Sequence, residues 1–290
     1  MGDDPEAEPR RARRQRARLS PQALAAARGG VREGLDWLGR PPDATAGLLV
    51  RAVAVLARFL LFAVFRFRVT TSGQEHLPAG GGYLVVAAIH RGWMDPFLIL
   101  HALPLEPRAW FLGSGPSAFS ARWREWLLRR IGGMLPVWRG GVGVDQHVAS
   151  ARAVLANGGV FVLVPEGGVA GPPDRLGTFR TGAALIALRT GAPVVPIALA
   201  GADELYLGKR LASRILPPTN ARELLGETWD GVLPEPGSRV ELDLARRLTD
   251  RFSDLLGPAV AALYPETVDS PRYPRRFRGL TWLFLSRRER

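Results

Sequence analysis

The sequence predicts an α/β fold, a central and mostly parallel sheet flanked by helices, with N-terminal helices lying in a membrane interface. Three observations lead there. Short apolar runs alternate with stretches of helical periodicity through the middle of the chain. Residues 47–68 are far more apolar than the rest, yet arginines punctuate them. A chain of 290 residues, 47% of them hydrophobic, has enough apolar material for one sizeable core plus terminal extensions.

Taken in order, residues 1–30 read as a disordered basic tail. Arginines crowd the stretch from Arg10 to Arg18, and no apolar run of the length a secretory signal needs follows them. Residues 31–68 form a helical membrane-interface segment. A spanning helix needs about 20 consecutive apolar residues, and Arg51 and Arg58 interrupt the run before Arg66 and Arg68 close it. The two interrupting arginines share one helical face, which suits a helix lying in the headgroup region; a buried amphipathic core helix is the competing reading.

Residues 69–265 are expected to form the α/β domain. Strands are predicted at 83–89, 108–112, 134–138, 160–164, 194–198 and 239–242, and helices at 97–103, 119–131, 144–155 and 179–189. Gly158 is a stop signal behind the third helix. Residues 266–290 form a basic-aromatic segment, Arg272 to Arg278 followed by Leu280, Trp282 and Phe284, which suits an interface anchor or a helix packed on the domain.

The formal net charge is +12, and Lys209 is the only lysine among 39 basic residues. Such a balance points to an anionic membrane surface, a phosphate-bearing substrate or a nucleic acid. The chain shows no RNA-recognition signature or zinc-finger spacing, so no nucleic-acid partner is expected. The absence of cysteine excludes disulfides and thiolate chemistry, and is compatible with a cytosolic setting. None of the 4 histidines is spaced four residues from another, so no metal is expected.

The chemistry concentrates after the first of these strands. His90 follows its apolar run, and Asp95 comes five residues later, ahead of Pro96, with Gly92 permitting a tight reversal between them. Ligand sites in such domains form at the carboxyl ends of strands. A histidine oriented by a carboxylate is the standard means of taking a proton from a hydroxyl near neutral pH. The competing reading makes Asp95 a plain helix N-cap. Further along, Gly132 to Arg139 reads as a glycine-led strand ending in arginine. Val164-Pro165-Glu166-Gly167 ends a second strand, and Phe179-Arg180-Thr181-Gly182 leads to the strand containing Val195-Pro196-Ile197.

These four ordered blocks, over roughly residues 66–200, resemble the glycerophospholipid acyltransferases, the group that contains bacterial 1-acyl-glycerol-3-phosphate acyltransferase. The resemblance implies that His90 is the general base and Asp95 its orienting carboxylate. It implies that Arg139 holds an acceptor phosphate and that Glu166 and Gly167 shape the acceptor site. The acyl donor would be acyl-CoA or acyl-carrier protein, with no cofactor, and the acceptor 1-acyl-glycerol-3-phosphate. The setting would be the cytosolic face of the cell membrane, reached as a peripheral or monotopic protein. Two departures bear on the acceptor. Gly168 and Val169 stand where the family commonly has Thr-Arg, leaving Arg175 or Arg180 as the replacement. Ile89 and Gly92 stand where it often has Asn and Ser. Another lysophospholipid or a glycolipid therefore stays open as acceptor, and a non-catalytic basic membrane- or RNA-binding protein is the reading of a different class. Backbone N–H groups near Gly167 and Gly168 are the candidates for an oxyanion site.

Overall fold

The structure, a computed structural model, describes residues 44–92, 94–114, 133–137, 144–167, 172–268 and 280–281. Seven strands form one sheet: β1 (Arg68–Ser72), β2 (Tyr83–Ala88), β3 (Ala109–Ser114), β4 (Met134–Val137), β5 (Val160–Leu163), β6 (Val194–Ala200) and β7 (Arg210–Ile215). Their order is β1-β7-β6-β2-β5-β3-β4, and every ladder is parallel except that between β6 and β7. The α/β architecture expected from the sequence is present. The helices are α1 (Ala44–Phe59), α2 (Met94–Ala102), α3 (Val144–Ala156), α4 (Gly182–Thr190), α5 (Ala221–Leu225) and α6 (Arg239–Leu263).

The central strands are apolar throughout because both of their faces are covered. All residues of β2, β5 and β6 are buried. Alternation sorts them between two cores. Leu84, Val86, Phe161 and Leu163 meet α3, α4 and α6 on one face. Tyr83, Val85, Val160 and Val162 meet Leu98 and Ile99 of α2 on the other. Removing a large side chain such as Phe161 from water contributes about 1.5–3 kcal/mol.

One predicted strand is wrong. Residues 239–242 open α6, a helix of 25 residues. The alternation of Arg239, Val240, Glu241 and Leu242 mimics a strand over four residues, but Ser238 is a helix N-cap. The Glu241 N–H donates to Ser238 Oγ at 3.2 Å, and the Glu241 carboxylate accepts from Gly237 N at 2.7 Å. Beyond it Leu244, Leu248, Phe252, Leu256, Val260 and Leu263 recur at helical spacing and are buried. Two strands escaped the sequence reading. In the edge strand β1 exposed positions alternate with partly buried ones, and β7 mixes arginines with small residues. Arg68, expected to end the helical segment, is the first residue of β1.

α1 runs into a π-helical turn at Leu60–Val64, and Arg66, with φ at 55°, swings the chain into β1. Leu48, Val55, Leu56 and Phe59 on α1 are exposed, while Phe62 lays its ring 5.2 Å from His101 of α2. No helix among the described residues is long and apolar enough to cross a membrane. The basic tail, the helix expected at 119–131, the Arg51 and Arg58 side chains and most of the C-terminal segment lie outside the described residues. Of that last segment, Leu280 packs on the α2-side core and Thr281 hydrogen-bonds Leu205.

Candidate active site

Strands β2 and β5 are parallel neighbours, so their carboxyl ends lie side by side. His90 follows the first and Glu166 the second. Between His90 and α2 the chain reverses through Gly92, whose φ of 152° suits glycine rather than a residue with a Cβ.

Asp95 sits in the first turn of α2 and is almost wholly buried. It does not cap the amides of its own helix. Its side chain reaches back, and one oxygen, Oδ2, accepts three hydrogen bonds: from His90 Nδ1 at 2.8 Å, Arg91 N at 2.5 Å and Gly92 N at 2.9 Å. The carboxylate thereby shapes the loop and orients the imidazole in one stroke. A carboxylate can only accept, so Nδ1 carries the ring proton and Nε2 is left as the basic nitrogen. The His90 side chain is 27% exposed, against 1% for Asp95, so the base is reachable while its partner is shielded.

Glu166 is also buried. Its Oε2 accepts from the His90 backbone N–H at 2.6 Å, and its Oε1 accepts from Gly177 N at 2.9 Å. Both oxygens thus bind backbone, one on the His90 loop and one on the segment leading to α4. Gly167 adopts φ +62°, and a Cβ placed there would lie 2.7 Å from Cδ and Nε of Arg180. Arg180 therefore lies across the Glu166–Gly167 turn, its own N–H donating to Pro165 O at 2.8 Å.

The structure brings together His90, Asp95, Glu166, Gly167 and Arg180. Arg139, expected to hold a phosphate, lies outside the described residues, as does Gly168. The Gly167 N–H donates to Val164 O at 3.3 Å within the turn, which does not suit it to an oxyanion. Arg175 is exposed and pairs only loosely with Asp174 at 4.0 Å. An open hollow of about 660 Å3 between Trp229 and Leu244 is lined by none of these residues.

Sequence reasoning missed Arg91. Its side chain is buried, and the guanidinium Nη2 donates to Pro172 O and, at 3.3 Å, to Arg175 O. In so arginine-rich a chain, no local signal separates one buried guanidinium from the exposed ones. Gly177 went unnoticed because its contribution is a backbone N–H.

Residues 68–200, the span that holds this constellation, match the sequence profile of the acyltransferase family. Those residues carry an acyltransferase domain. The fold of this acyltransferase is similar to that of the 1-acyl-sn-glycerophosphate (LPA) acyltransferase PlsC from Thermotoga maritima, with a TM-score of 0.57 and 19% sequence identity. The similarity covers 86% of this chain and 93% of that one. No curated protein sequence matches the chain. The acyltransferase domain makes the protein an enzyme and sets aside the reading as a non-catalytic basic binding protein.

Proposed function

We propose that this acyltransferase moves a fatty acyl chain from acyl-CoA or acyl-carrier protein onto the free hydroxyl of 1-acyl-glycerol-3-phosphate, yielding phosphatidic acid. The observation that carries the proposal is the 2.8 Å hydrogen bond between His90 Nδ1 and Asp95 Oδ2 at the mouth of the sheet. His90 Nε2 takes the acceptor's hydroxyl proton as that oxygen attacks the thioester carbonyl. Asp95 stabilises the imidazolium that forms. The tetrahedral intermediate then collapses, the carbon–sulfur bond breaks, and the departing thiolate takes the proton back. No acyl-enzyme and no cofactor enters. Glu166 fixes the His90 backbone, while Arg139 and Arg180 supply guanidinium groups for the acceptor phosphate. The exposed apolar residues of α1 and the basic balance of the chain support peripheral or monotopic attachment to an anionic membrane, on the cytosolic face.

Gly168 and Val169, standing where the family commonly has Thr-Arg, favour a second reading in which the acceptor is another lysophospholipid or a glycolipid. Incubating purified protein with one acyl-CoA and a panel of lysolipids, and identifying products by mass spectrometry, separates the two. Phosphatidic acid as the dominant product supports the first reading. A different diacyl lipid in its place supports the second, and no transfer to any acceptor sinks both.

A further inference from the structure

Residues 172–180 form a strap between the turn after β5 and the start of α4, held by Arg91 of the catalytic loop and at two places by the turn after β5. The Arg91 guanidinium donates to the carbonyl oxygens of Pro172 and Arg175. Gly177 N donates to Glu166 Oε1 at 2.9 Å. Arg180 N donates to Pro165 O at 2.8 Å. Two of the tying residues hold the His90 loop as well. Arg91 gives its backbone N–H to Asp95 Oδ2, and Glu166 Oε2 takes the His90 N–H. Each therefore has one grip on the base and one on the strap.

Burying a guanidinium is costly unless acceptors surround it. Arg91 is only 5% exposed, and carbonyls of the strap are among its acceptors. Backbone carbonyls as partners leave the strap's own side chains uncommitted to the grip. Arg175 and Arg180 remain exposed, the latter across the turn that follows β5.

From this geometry we infer that Arg91 is a positioning residue. It sets the strap as one wall of the acceptor site and couples the position of that wall to the orientation of His90. The inference rests on the acyl-transfer mechanism proposed above. The acceptor it concerns is one with an anionic headgroup, which the strap's exposed guanidinium groups would meet.

The test compares Arg91→Met, which keeps the stem and removes every donor, with Arg91→Lys, which keeps a charge and a donor able to reach a carbonyl. Amide hydrogen exchange over residues 172–180 is read without substrate. Exchange at Gly177 and Arg180 should rise at least about tenfold in R91M and stay near the original rate in R91K. In steady-state kinetics the acceptor KM should rise about 10- to 100-fold in R91M, since small misplacements of a positioning group have effects of that order. The donor KM should stay within about twofold, and R91K should recover most of the loss. Unchanged exchange in R91M overturns the inference, and so does a fall in kcat alone with the acceptor KM unmoved. Should R91M fail to fold, Arg91→Gln, with one amide donor, takes its place on the same criteria. If the unmutated chain transfers no acyl group, the function proposal falls while the exchange data still decide whether Arg91 holds the strap.

Discussion

Glu166 stands 76 residues after His90 in the chain, yet its Oε2 takes the His90 backbone N–H at 2.6 Å. A second backbone N–H, that of Gly177, occupies its other oxygen. A glutamine there keeps the shape but turns one acceptor into a donor, so a buried N–H faces an NH2. Loss of a charge-assisted bond of this kind costs about 1.5–3 kcal/mol. Glu166→Gln should therefore lower kcat/KM by roughly 10- to 100-fold. The melting temperature should fall as well, because the bond also ties two segments of the fold. Initial rates with saturating thioester, alongside calorimetry, check this; a variant with full activity shows that the His90 loop holds itself in place.

The Asp95 carboxylate has a structural and an electrostatic duty, and Asp95→Asn separates them. The amide oxygen of asparagine can still accept from Arg91 N and Gly92 N, so the loop should persist. It cannot offset the charge of an imidazolium. By analogy with other His–carboxylate pairs, kcat should drop on the order of 10³- to 10⁴-fold, with little change in thermal stability. His90→Ala should abolish transfer while the chain stays folded. Transfer at the original rate in either variant rules out the proposed base.

How far the site could be read from the sequence follows from how local each relation is. His90 and Asp95 are five residues apart, and one short loop brings them together, so the pair was legible locally, with the ordered blocks downstream deciding against a plain helix N-cap. Glu166 was visible as part of a Pro-Glu-Gly turn, but its bond to His90 depends on β2 and β5 being neighbours, which only the sheet order reveals. Arg91 is buried by the strap, a segment more than 80 residues away in sequence. In the fold, β2 and β6 announced themselves as continuous apolar runs because both faces are covered. β1 and β7 did not, since an edge strand needs only one apolar face and β7 spends positions on arginine. Residues 239–242 deceived because four residues are too few to tell a period of two from one of 3.6.

Among the described residues nothing covers the side chains of Leu56 and Phe59 on α1, which stand 57% and 58% exposed. If they enter a bilayer interface, each contributes about 1.5–3 kcal/mol on full burial. Replacing both by aspartate should weaken binding to vesicles containing anionic lipid by at least about a hundredfold, measured by co-sedimentation. Turnover of a short-chain, water-soluble acceptor should survive. Equal vesicle binding by the double variant removes α1 as the attachment.

Away from the catalytic loop, Arg189 of α4 holds Glu241 of α6 through two hydrogen bonds, 2.6 Å from Nε to Oε1 and 2.8 Å from Nη2 to Oε2. Both side chains are largely buried, and Arg189 also reaches Asp145 of α3, so the cluster pins three helices that cover one face of the sheet. The Arg189 hydrogen bonds, assisted by Gly237 N, hold the Glu241 carboxyl below its ordinary value against the opposing effect of burial. The consequence for stability has a definite sign. With a depressed folded-state pKa, the unfolded chain binds more protons between that pKa and the ordinary one, so stability rises with pH across the interval. The contribution is present above about pH 4.5 and is lost as pH falls through the folded-state value. Glu241→Gln should thus cost about 1.5–3 kcal/mol at pH 7, and the difference from the unmutated chain should shrink toward zero in strong acid. Denaturant unfolding at a series of pH values from 7 down to 3 measures that convergence. Two curves that stay parallel across the series would show that the Arg189–Glu241 pair contributes nothing to acid sensitivity. Arg189 lies in the last turn of α4, at the other end of that helix from the strap, so kcat should stay within about twofold of the original.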